Sequence, residues 1–558
     1  MKFLNRLLYQ VHRWVGVVLA LFMFAWFLTG LVIMYAPSIT QNRSQQLAHA
    51  ETLAPEIGWL SLGDVWARSA EQREALAAKQ TAAKAEANAN AKAGKDESKP
   101  SIVDARLVRI AEQPVWLIED SQAQRYALSA LDASIRETSP EQALSIAKHW
   151  YYQQHQAFPS HIAYLETLSN PIILRNQEAL QPFHKIAVGE DGGQLLISQR
   201  TGEVLHASNK VSRTFYWAGN WLHLLKPMDA IGWGQYRHDA QVWLGFSATL
   251  ATFTGLIIGW LRWRPGFGGK KTYSEGRTQP YREFWFKWHF WSGLLGGTVA
   301  LFWALSGYVS TNPSKIFSPT NPTKQELARY FADELPEAMR TWVPALPLAL
   351  ATAVDGADIV ELNWRRVGAQ AVLLAHTRDG QRLPQTLFGA KASFDETVLQ
   401  AAMTRVAAKQ PISSVIRLDH YDSYYYPRHN QSNVERPLPV LVMRLADAVG
   451  TRFYLDPQDG RLLAKFDRSA RLFRWLYTAL HHWDFGWLYY RPLWDAWMLT
   501  WVSFGLVLGG SSLVIGWRLL RKTFGTKQRV PVITPATRYK PSKAIIAKTN
   551  PEAKQNVA

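Results

Sequence analysis

The sequence of 558 residues contains no cysteine. This absence excludes disulfide frameworks, thiolate zinc or iron–sulfur sites, catalytic thiols and covalently attached c-type haem. A redox centre in this chain must therefore use nitrogen or oxygen ligands, or a cofactor held without covalent bonds. Convincing motifs for nucleotide binding, for H-E-x-x-H zinc hydrolysis or for a G-x-S-x-G nucleophile are also lacking, so a soluble hydrolase has no support.

Charged residues are missing from four stretches, each long enough to cross a bilayer, which takes about 20 apolar residues. The stretches cover residues 15–36, 240–261, 290–311 and 496–517. The 25 tryptophans and the aromatic share of 13% suit belts of aromatic side chains at the membrane interfaces. The sequence therefore predicts a membrane protein with four transmembrane helices, whose first partner is the lipid bilayer.

Acidic residues are scarce in three segments: residues 1–13, residues 262–289 and the tail from Arg518. Together these segments carry twenty Lys and Arg but three Glu, which accounts for nearly all of the net charge of +18. The positive-inside rule explains this excess and places both termini and the middle loop in the cytoplasm, so no nucleic-acid partner is expected. The large segments 37–239 and 312–495 are then outside.

The first apolar stretch has an alternative interpretation as a cleaved signal peptide, with Ala48-His49-Ala50 resembling a cleavage site. Its apolar core of 22 residues is too long for a usual signal peptide. The internal repeat described next also gives it a permanent partner. We therefore expect an uncleaved anchor.

The chain contains an internal repeat. The run VHRWVGVVLALFMFAWFLTG from Val11 matches WHFWSGLLGGTVALFWALSG from Trp288, and TGEVLHASNKVSRTFYWAGNWLH matches DGRLLAKFDRSARLFRWLYTALH. The first pair has an offset of 277 residues and the second an offset of 258. The protein is thus predicted to be two copies of a span–domain–span unit. The extra chain of the first copy is assigned to residues 74–100, which are rich in Ala, Lys, Glu and Asn and contain almost no large apolar residue.

The outside segments alternate short strand patterns, such as PVWLIED and PVLVMRL, with helical segments near residues 140–153 and 395–409. Each is therefore predicted to be a small α+β domain. The predicted organisation is an N-terminus with the first span (1–36), outer domain one (37–212), an interfacial segment with the second span (213–261), a cytoplasmic loop (262–287), the third span (288–311), outer domain two (312–470), an interfacial segment with the fourth span (471–517) and a cytoplasmic tail (518–558).

Four histidines are matched in pairs by the repeat. His12 and His289 begin spans one and three, whereas His223 and His481 precede spans two and four. Parallel repeats related by an axis along the membrane normal bring equivalent residues face to face. Two such histidines could ligate one haem iron from both sides, which favours electron transfer because no coordination position stays open. A lone histidine at a helix end is usually an interfacial residue, but four matched ones favour ligands.

Two further features leave alternatives open. His238 could replace His223 as a ligand, and His482 could replace His481. The polar aromatic loop from Asp419 to His429 offers phenolate and carboxylate donors that suit ferric iron, or packs over the membrane interface. Its candidate substrate contacts are Tyr424, Tyr425, Tyr426 and Arg428.

Several motifs in order resemble the PepSY-associated transmembrane proteins: HRWVG, GYVSTNP, YYYPRH, FYLDPQDGRLL, RWLYTALHHWDF and RPLWDAW. The resemblance covers residues 8–36 and 195–520. It implies a bacterial inner-membrane protein with termini in the cytoplasm and two periplasmic PepSY domains, and its best-understood branch is similar to the ferrioxamine-type ferric-siderophore reductases with b-type haem. His12 and His289 match that branch's first-helix motif, while His223 and His481 match its second. The first copy departs from it, reading WLHLLKPMD where the second reads ALHHWDF.

The sequence therefore predicts a four-span protein with two b-type haems that moves electrons to a periplasmic acceptor, with a ferric siderophore as the first candidate. The donor is expected to be a quinol or a separate cytoplasmic reductase. One alternative is a PepSY module that binds peptides or regulates a protease without haem. Another is a di-haem cytochrome with a different acceptor.

Overall fold

The structure is a computed structural model. It describes residues 2–87, 100–174, 177–331, 335–344, 358–385, 392–408, 410–428 and 431–524. The predicted insertion 74–100 is therefore described only in part, and its first residues belong to a helix, Ala70–Ala87. The tail 518–558, predicted to be cytoplasmic, is described only as far as residue 524.

Four helices are long and apolar enough to cross a membrane, which confirms the predicted number of spans. They are Phe3–Met34, Gly234–Arg262, Phe284–Ser310 and Leu493–Phe524. Each continues beyond the uncharged stretch that predicted it, because basic side chains at a helix end can reach the polar interface with their charged tips.

The spans form a bundle in which each helix packs against its two neighbours. The first span contacts the second and fourth, and the third span also contacts the second and fourth. The first and third spans therefore lie diagonally across the bundle. Side chains from these two helices can meet in its interior, which is the usual place for cofactor sites in helix bundles.

Fourteen strands of the described chain form three antiparallel sheets. In chain order they are β1 (Ile102–Ile110), β2 (Gln113–Asp120), β3 (Arg125–Ser129), β4 (Ile162–Leu168), β5 (Phe183–Val188), β6 (Gly193–Ser198), β7 (Val204–Ser208), β8 (Ile359–Val367), β9 (Gln370–Thr377), β10 (Arg382–Gln385), β11 (Ile412–Leu418), β12 (Val440–Leu445), β13 (Arg452–Leu455) and β14 (Leu462–Phe466).

The six-stranded sheet is shared between the two outer segments. Its order is β10-β9-β8-β1-β2-β3, and β1 pairs antiparallel with β8. Trp116 and Trp364, one from each segment, are buried in the same apolar core. The predicted α+β character is confirmed, but the sequence did not indicate that one sheet joins the two segments.

Each outer segment also has a four-stranded sheet of its own, ordered β4-β5-β6-β7 and β11-β12-β13-β14. The helix Pro140–His155 covers the first of these sheets and the helix Glu396–Ala407 covers the second. Ser139 caps the former helix with a capping box. The other short helices are Arg43–Ala48, Leu62–Arg68, Pro227–Ala230, Lys324–Phe331 and Glu337–Thr341.

A helical segment follows each four-stranded sheet and leads to a span. The first comprises Lys210–Tyr216 and the π-helical turn Trp217–Trp221, and the second comprises Arg468–Phe473, the π-helical turn Arg474–Ala479 and Leu480–His482. We call them the first and second connecting segments. π-Helical turns are rare and occur frequently at functional sites.

Candidate functional site: two histidine pairs

The inner pair consists of His12 on the first span and His289 on the third. Their ring centroids are 6.2 Å apart with an angle of 47° between the rings. Both residues lie near the ends of their helices that carry the basic segments. The diagonal placement of the two spans thus brings together two imidazoles that are far apart in sequence.

The outer pair consists of His223 on the first connecting segment and His481 on the second. Their ring centroids are 6.3 Å apart and the rings are inclined by 71°. The backbone of each histidine is anchored to a span by an indole: Trp26 donates to the carbonyl oxygen of His223 at 3.2 Å, and Trp303 to that of His481 at 3.0 Å.

The centroid separations are those of two imidazoles on opposite sides of one metal ion. A metal–imidazole bond is about 2 Å long and a ring nitrogen lies about 1 Å from its centroid, which places two axial rings about 6 Å apart between centroids. Rings in direct stacking contact would be closer together. The centroid distances of both pairs, 6.2 and 6.3 Å, are compatible with this arrangement.

Hydroxyl groups contact Nδ1 of both histidines of the outer pair. Thr29 Oγ1 lies 2.9 Å from Nδ1 of His223 and 2.7 Å from the Ala25 carbonyl oxygen. Ser306 Oγ likewise lies 3.0 Å from Nδ1 of His481 and 3.1 Å from the Trp303 carbonyl oxygen. When each hydroxyl donates to its carbonyl, it accepts from Nδ1, and the histidine then presents a lone pair on Nε2.

The inner pair reaches the same protonation state by other contacts. Nδ1 of His12 is 2.9 Å from the carbonyl oxygen of Ala251, which can only accept. Nδ1 of His289 is 3.2 Å from the Ser512 hydroxyl, whose own proton goes to the Leu508 carbonyl at 2.7 Å. All four imidazoles are thus oriented through Nδ1, the arrangement by which neighbouring groups orient a ligating histidine.

A glycine makes room for His12. A Cβ on Gly255 of the second span would lie 2.6 Å from Cε1 of His12, closer than side chains tolerate. Gly296 and Gly297 serve helix packing instead, since a Cβ on either would meet Phe504 or Leu256 at 2.7 Å. Their small size therefore lets the spans approach one another.

The two alternative ligands lie outside the facing pairs. His238 has a side chain that is 59% exposed, and its Nε2 is 3.0 Å from the Thr311 carbonyl oxygen. His482 follows His481 directly, and its ring lies 5.3 Å from that of His481 at an angle of 85°. The geometry therefore favours His223 and His481 as the facing residues.

The predicted substrate loop packs onto the second connecting segment. Tyr425 is fully buried and stacks on Tyr454 with centroids 5.4 Å apart, and its hydroxyl donates to the Pro437 carbonyl. Tyr424 lies beside Trp475, with ring centroids 6.4 Å apart. These two tyrosines build the domain core and its contact with the connecting segment.

Tyr426 and Arg428 extend from the same loop to the second connecting segment. The Tyr426 hydroxyl donates to the Asp484 carboxylate, and burial together with this carboxylate raises the pKa of Tyr426 to about 12. Arg428 donates to the Thr478 hydroxyl at 3.2 Å. Nothing in the sequence indicated these contacts, because the loop has no periodic pattern.

Within the described part of the chain, no cluster of three or more His, Asp or Glu residues could hold a metal ion alone. A haem needs no such cluster, because its macrocycle supplies four nitrogens and the protein supplies only axial ligands. The two facing lone pairs of each histidine pair fit this requirement.

A family model described as "PepSY-associated TM region" matches residues 9–373. The match includes the first three spans, the shared strands β1 and β8, and the histidines His12, His223 and His289. No curated protein matches the chain.

Proposed function

Because this chain belongs to the family of PepSY-associated TM regions, we propose that it is a b-type haem protein of the bacterial inner membrane that carries electrons to a periplasmic acceptor. The observation that carries this proposal is the pair of neighbouring imidazoles at each end of the bundle, with ring centroids 6.2 and 6.3 Å apart. In all four histidines Nδ1 contacts a hydroxyl or carbonyl oxygen, which leaves Nε2 as the nitrogen that would ligate a metal.

The proposal includes an internal repeat of two span–domain–span units. The contacts support it, since Thr29 and Ser306 occupy the same place in the repeat and each accepts from a histidine of the outer pair. The shared sheet also supports it, because IVDARLVRI of β1 aligns with IVELNWRRV of β8. Arg106 faces Asn363 in the register, and these are equivalent positions of the two strands.

The two histidine pairs lie at different depths in the membrane, so an electron would cross it in two transfers. His12 and Thr29 are seventeen positions apart on one helix, which at about 1.5 Å per residue separates the two sites by about 25 Å. Together they cover most of a hydrocarbon core that is about 30 Å thick. A haem bound at each pair would supply reversible one-electron chemistry.

The chain's own residues hold, orient and shield these sites. The histidines would hold a haem at each site, the hydroxyl and carbonyl oxygens contact their Nδ1 atoms, and the indoles of Trp26 and Trp303 anchor the outer backbone. A haem held by two histidines would have no open position for a substrate and would supply one-electron transfer. The acceptor would therefore be reduced without binding at the metal.

We propose a ferric siderophore as the acceptor. One electron converts its Fe(III) to Fe(II), and hard oxygen chelators bind the reduced ion less tightly. The electron comes from a quinol in the bilayer, which releases two electrons and two protons on oxidation to the quinone, or from a cytoplasmic reductase. The basic segments at the termini and in the middle loop support the proposed orientation, in which the large segments face the periplasm.

The test is a reduced-minus-oxidised absorbance spectrum with a pyridine haemochrome count on protein purified in detergent from haem-replete cells. We expect b-type bands and two haems per chain in the natural protein, and one in each of His289→Ala and His481→Ala. His238→Ala is the matched control and should keep both.

A colourless protein from haem-replete cells would overturn the haem proposal and favour the peptide-binding module. A di-haem protein whose reduced spectrum persists on mixing with ferric siderophores, but is lost with another oxidant, would overturn only the choice of acceptor.

A further inference from the structure

Hydrogen-bond donors collect on the outer-domain side of His481. Tyr477, one turn before His481, places its ring 5.5 Å from the His481 ring and 5.4 Å from that of His482. Tyr477 belongs to the π-helical turn Arg474–Ala479.

Arg428 brings a positive charge to the same region. Its guanidinium donates to the hydroxyl of Thr478, the residue after Tyr477, at 3.2 Å. Among the residues that the structure describes, no carboxylate forms an ion pair with Arg428. This cation therefore keeps the capacity to bind an anion.

Arg474 adds a buried donor. It is only 6% exposed, and it donates from Nε to the Ser423 carbonyl at 2.8 Å and from Nη2 to the Asp484 carbonyl at 2.9 Å. Its Nη1 is buried and has no acceptor in the described chain. An orphaned guanidinium N–H costs free energy unless an acceptor reaches it, so this arrangement favours a bound anion.

The surrounding charge is unbalanced. Arg474 pairs with Asp484 at 3.7 Å, and this carboxylate also accepts from Tyr426. Arg428 has no carboxylate partner among the described residues. The free groups are all donors, so the missing partner is an acceptor with negative charge. A carboxylate suits guanidinium geometry because it can accept two parallel hydrogen bonds.

We propose that Arg428, Tyr477 and Arg474 form an anion site that binds the carboxylates of the haem held by His223 and His481. This inference rests on the proposed function, and it assigns to Arg428 a role in holding the cofactor where the sequence suggested a substrate contact. The propionate groups are the only charged substituents of a b-type haem, and a site that binds them sets which way the haem inserts.

The first connecting segment offers no equivalent cations. At the positions matched to Arg474, Tyr477 and Thr478 it has Tyr216, Gly219 and Asn220. Its nearby Lys226 is bonded to the Tyr216 hydroxyl at 2.9 Å. The haem carboxylates are therefore bound by the second half of the chain alone, and the site is not two-fold symmetric.

The test compares haem b with its dimethyl ester, which has the same macrocycle but no carboxylates. Full-length apoprotein with His289→Ala is placed in lipid nanodiscs and titrated with each porphyrin, so that only the outer pair binds. We expect the ester to bind about tenfold more weakly than haem, and Arg428→Gln to remove this difference, because charge-assisted hydrogen bonds contribute about that factor or more. The midpoint potential of bound haem should fall in Arg428→Gln, since a cation favours the reduced state.

The controls separate this inference from the proposed function. Arg417→Gln is the matched control, because Arg417 precedes the same loop and pairs with Asp419 at 3.1 Å, and it should keep the preference for haem. Arg474→Gln is also expected to lose the preference for haem over its dimethyl ester. If this variant of a buried residue fails to fold, the test still stands on Arg428→Gln, because Arg428 is exposed. Equal preference in Arg428→Gln and the parent would overturn the inference while leaving the function standing. Failure of the parent to bind either porphyrin would overturn the function.

Discussion

Hydroxyl groups control the protonation of three of the four paired histidines. A helical Thr or Ser that donates to the carbonyl one turn back has only lone pairs left to offer. Thr29, Ser306 and Ser512 all do so. His12 differs, because Gly255 leaves no side chain at that place and the Ala251 carbonyl takes the role.

Removing one hydroxyl tests this control at the residue scale. In Ser306→Ala the Nδ1–H of His481 loses its acceptor, which should cost about 1–3 kcal/mol of stability and free the ring to rotate. We expect a changed low-spin electron paramagnetic resonance spectrum for the outer haem and an unchanged inner one. Ser310→Ala, whose hydroxyl bonds only to the backbone of the same helix, is the control. Identical spectra for both variants would contradict the assigned role of Ser306.

Space at Gly255 provides a second prediction. A leucine there would collide with His12, since the Cβ alone would lie 2.6 Å from its ring. Gly255→Leu should therefore lose the inner haem and keep the outer one, measured by the haem count per chain. Gly259→Ala is the matched control one turn along, where a Cβ would meet Leu294 at 3.5 Å, an ordinary contact. Two haems in Gly255→Leu would refute the prediction.

At the scale of elements, the shared sheet buries an ionic network. Arg106 of β1 pairs with Glu203 at 2.9 Å, and Glu361 of β8 contacts Arg43 and, at 3.8 Å, Arg106. Although burial opposes it, the charge of Arg43 and Arg106 lowers the pKa of Glu361 to about 2. The carboxylate therefore stays ionised in the folded protein at mildly acidic pH.

The sign of the pH dependence follows from this lowered pKa. A carboxylate whose pKa is lowered in the folded protein stabilises the fold at pH values above its ordinary pKa, near 4.5. This contribution is lost as the pH falls towards 2. Breaking this buried pair in Glu361→Gln should lower the free energy of unfolding at pH 7 by about 3–5 kcal/mol, so the variant should unfold at a lower temperature than the natural protein. The difference in unfolding temperature between the two should shrink at pH 3. Thermal melts of the full chain in nanodiscs measure this, and a difference that does not change with pH would contradict it.

Sequence patterns predicted some elements well and others not at all. Runs without charge identified the four spans, because a bilayer imposes length and composition on each helix separately. No sequence pattern indicated that β1 and β8 pair, since pairing partners depend on long-range contacts that no local pattern records. Tyr425 looked like a loop residue and is a core residue, because an aperiodic loop does not reveal which side chain it buries.

For the histidine pairs, too, the sequence predicted some features and missed others. The sequence analysis paired His12 with His289 and His223 with His481, and the ring centroids of these pairs lie 6.2 and 6.3 Å apart. The acceptors at Nδ1 were missed, although Thr29 and Ser306 are equivalent in the repeat. A polar residue at the same place in both apolar spans is the signal that could have identified them.

At the scale of the whole molecule, the absence of native cysteine makes topology directly testable. Ile57 is 98% exposed in the first outer segment, and Gly268 lies in the basic loop between the second and third spans with open space around it. In intact spheroplasts, an impermeant maleimide should label Ile57→Cys and should label Gly268→Cys only after lysis. Labelling of Gly268→Cys in intact cells would invert the proposed orientation.

The seam between β1 and β8 has a consequence for how the chain is assembled. Each half contributes three strands to the six-stranded sheet, and the edge strand of each half pairs with that of the other. Neither half alone therefore completes the six-stranded sheet. Two separate polypeptides cut within the basic loop would therefore be expected to find each other through this edge and to rebuild the outer histidine pair. The covalent link between the halves is then not needed to hold them together. In physical terms the protein is a dimer whose two halves happen to share one chain.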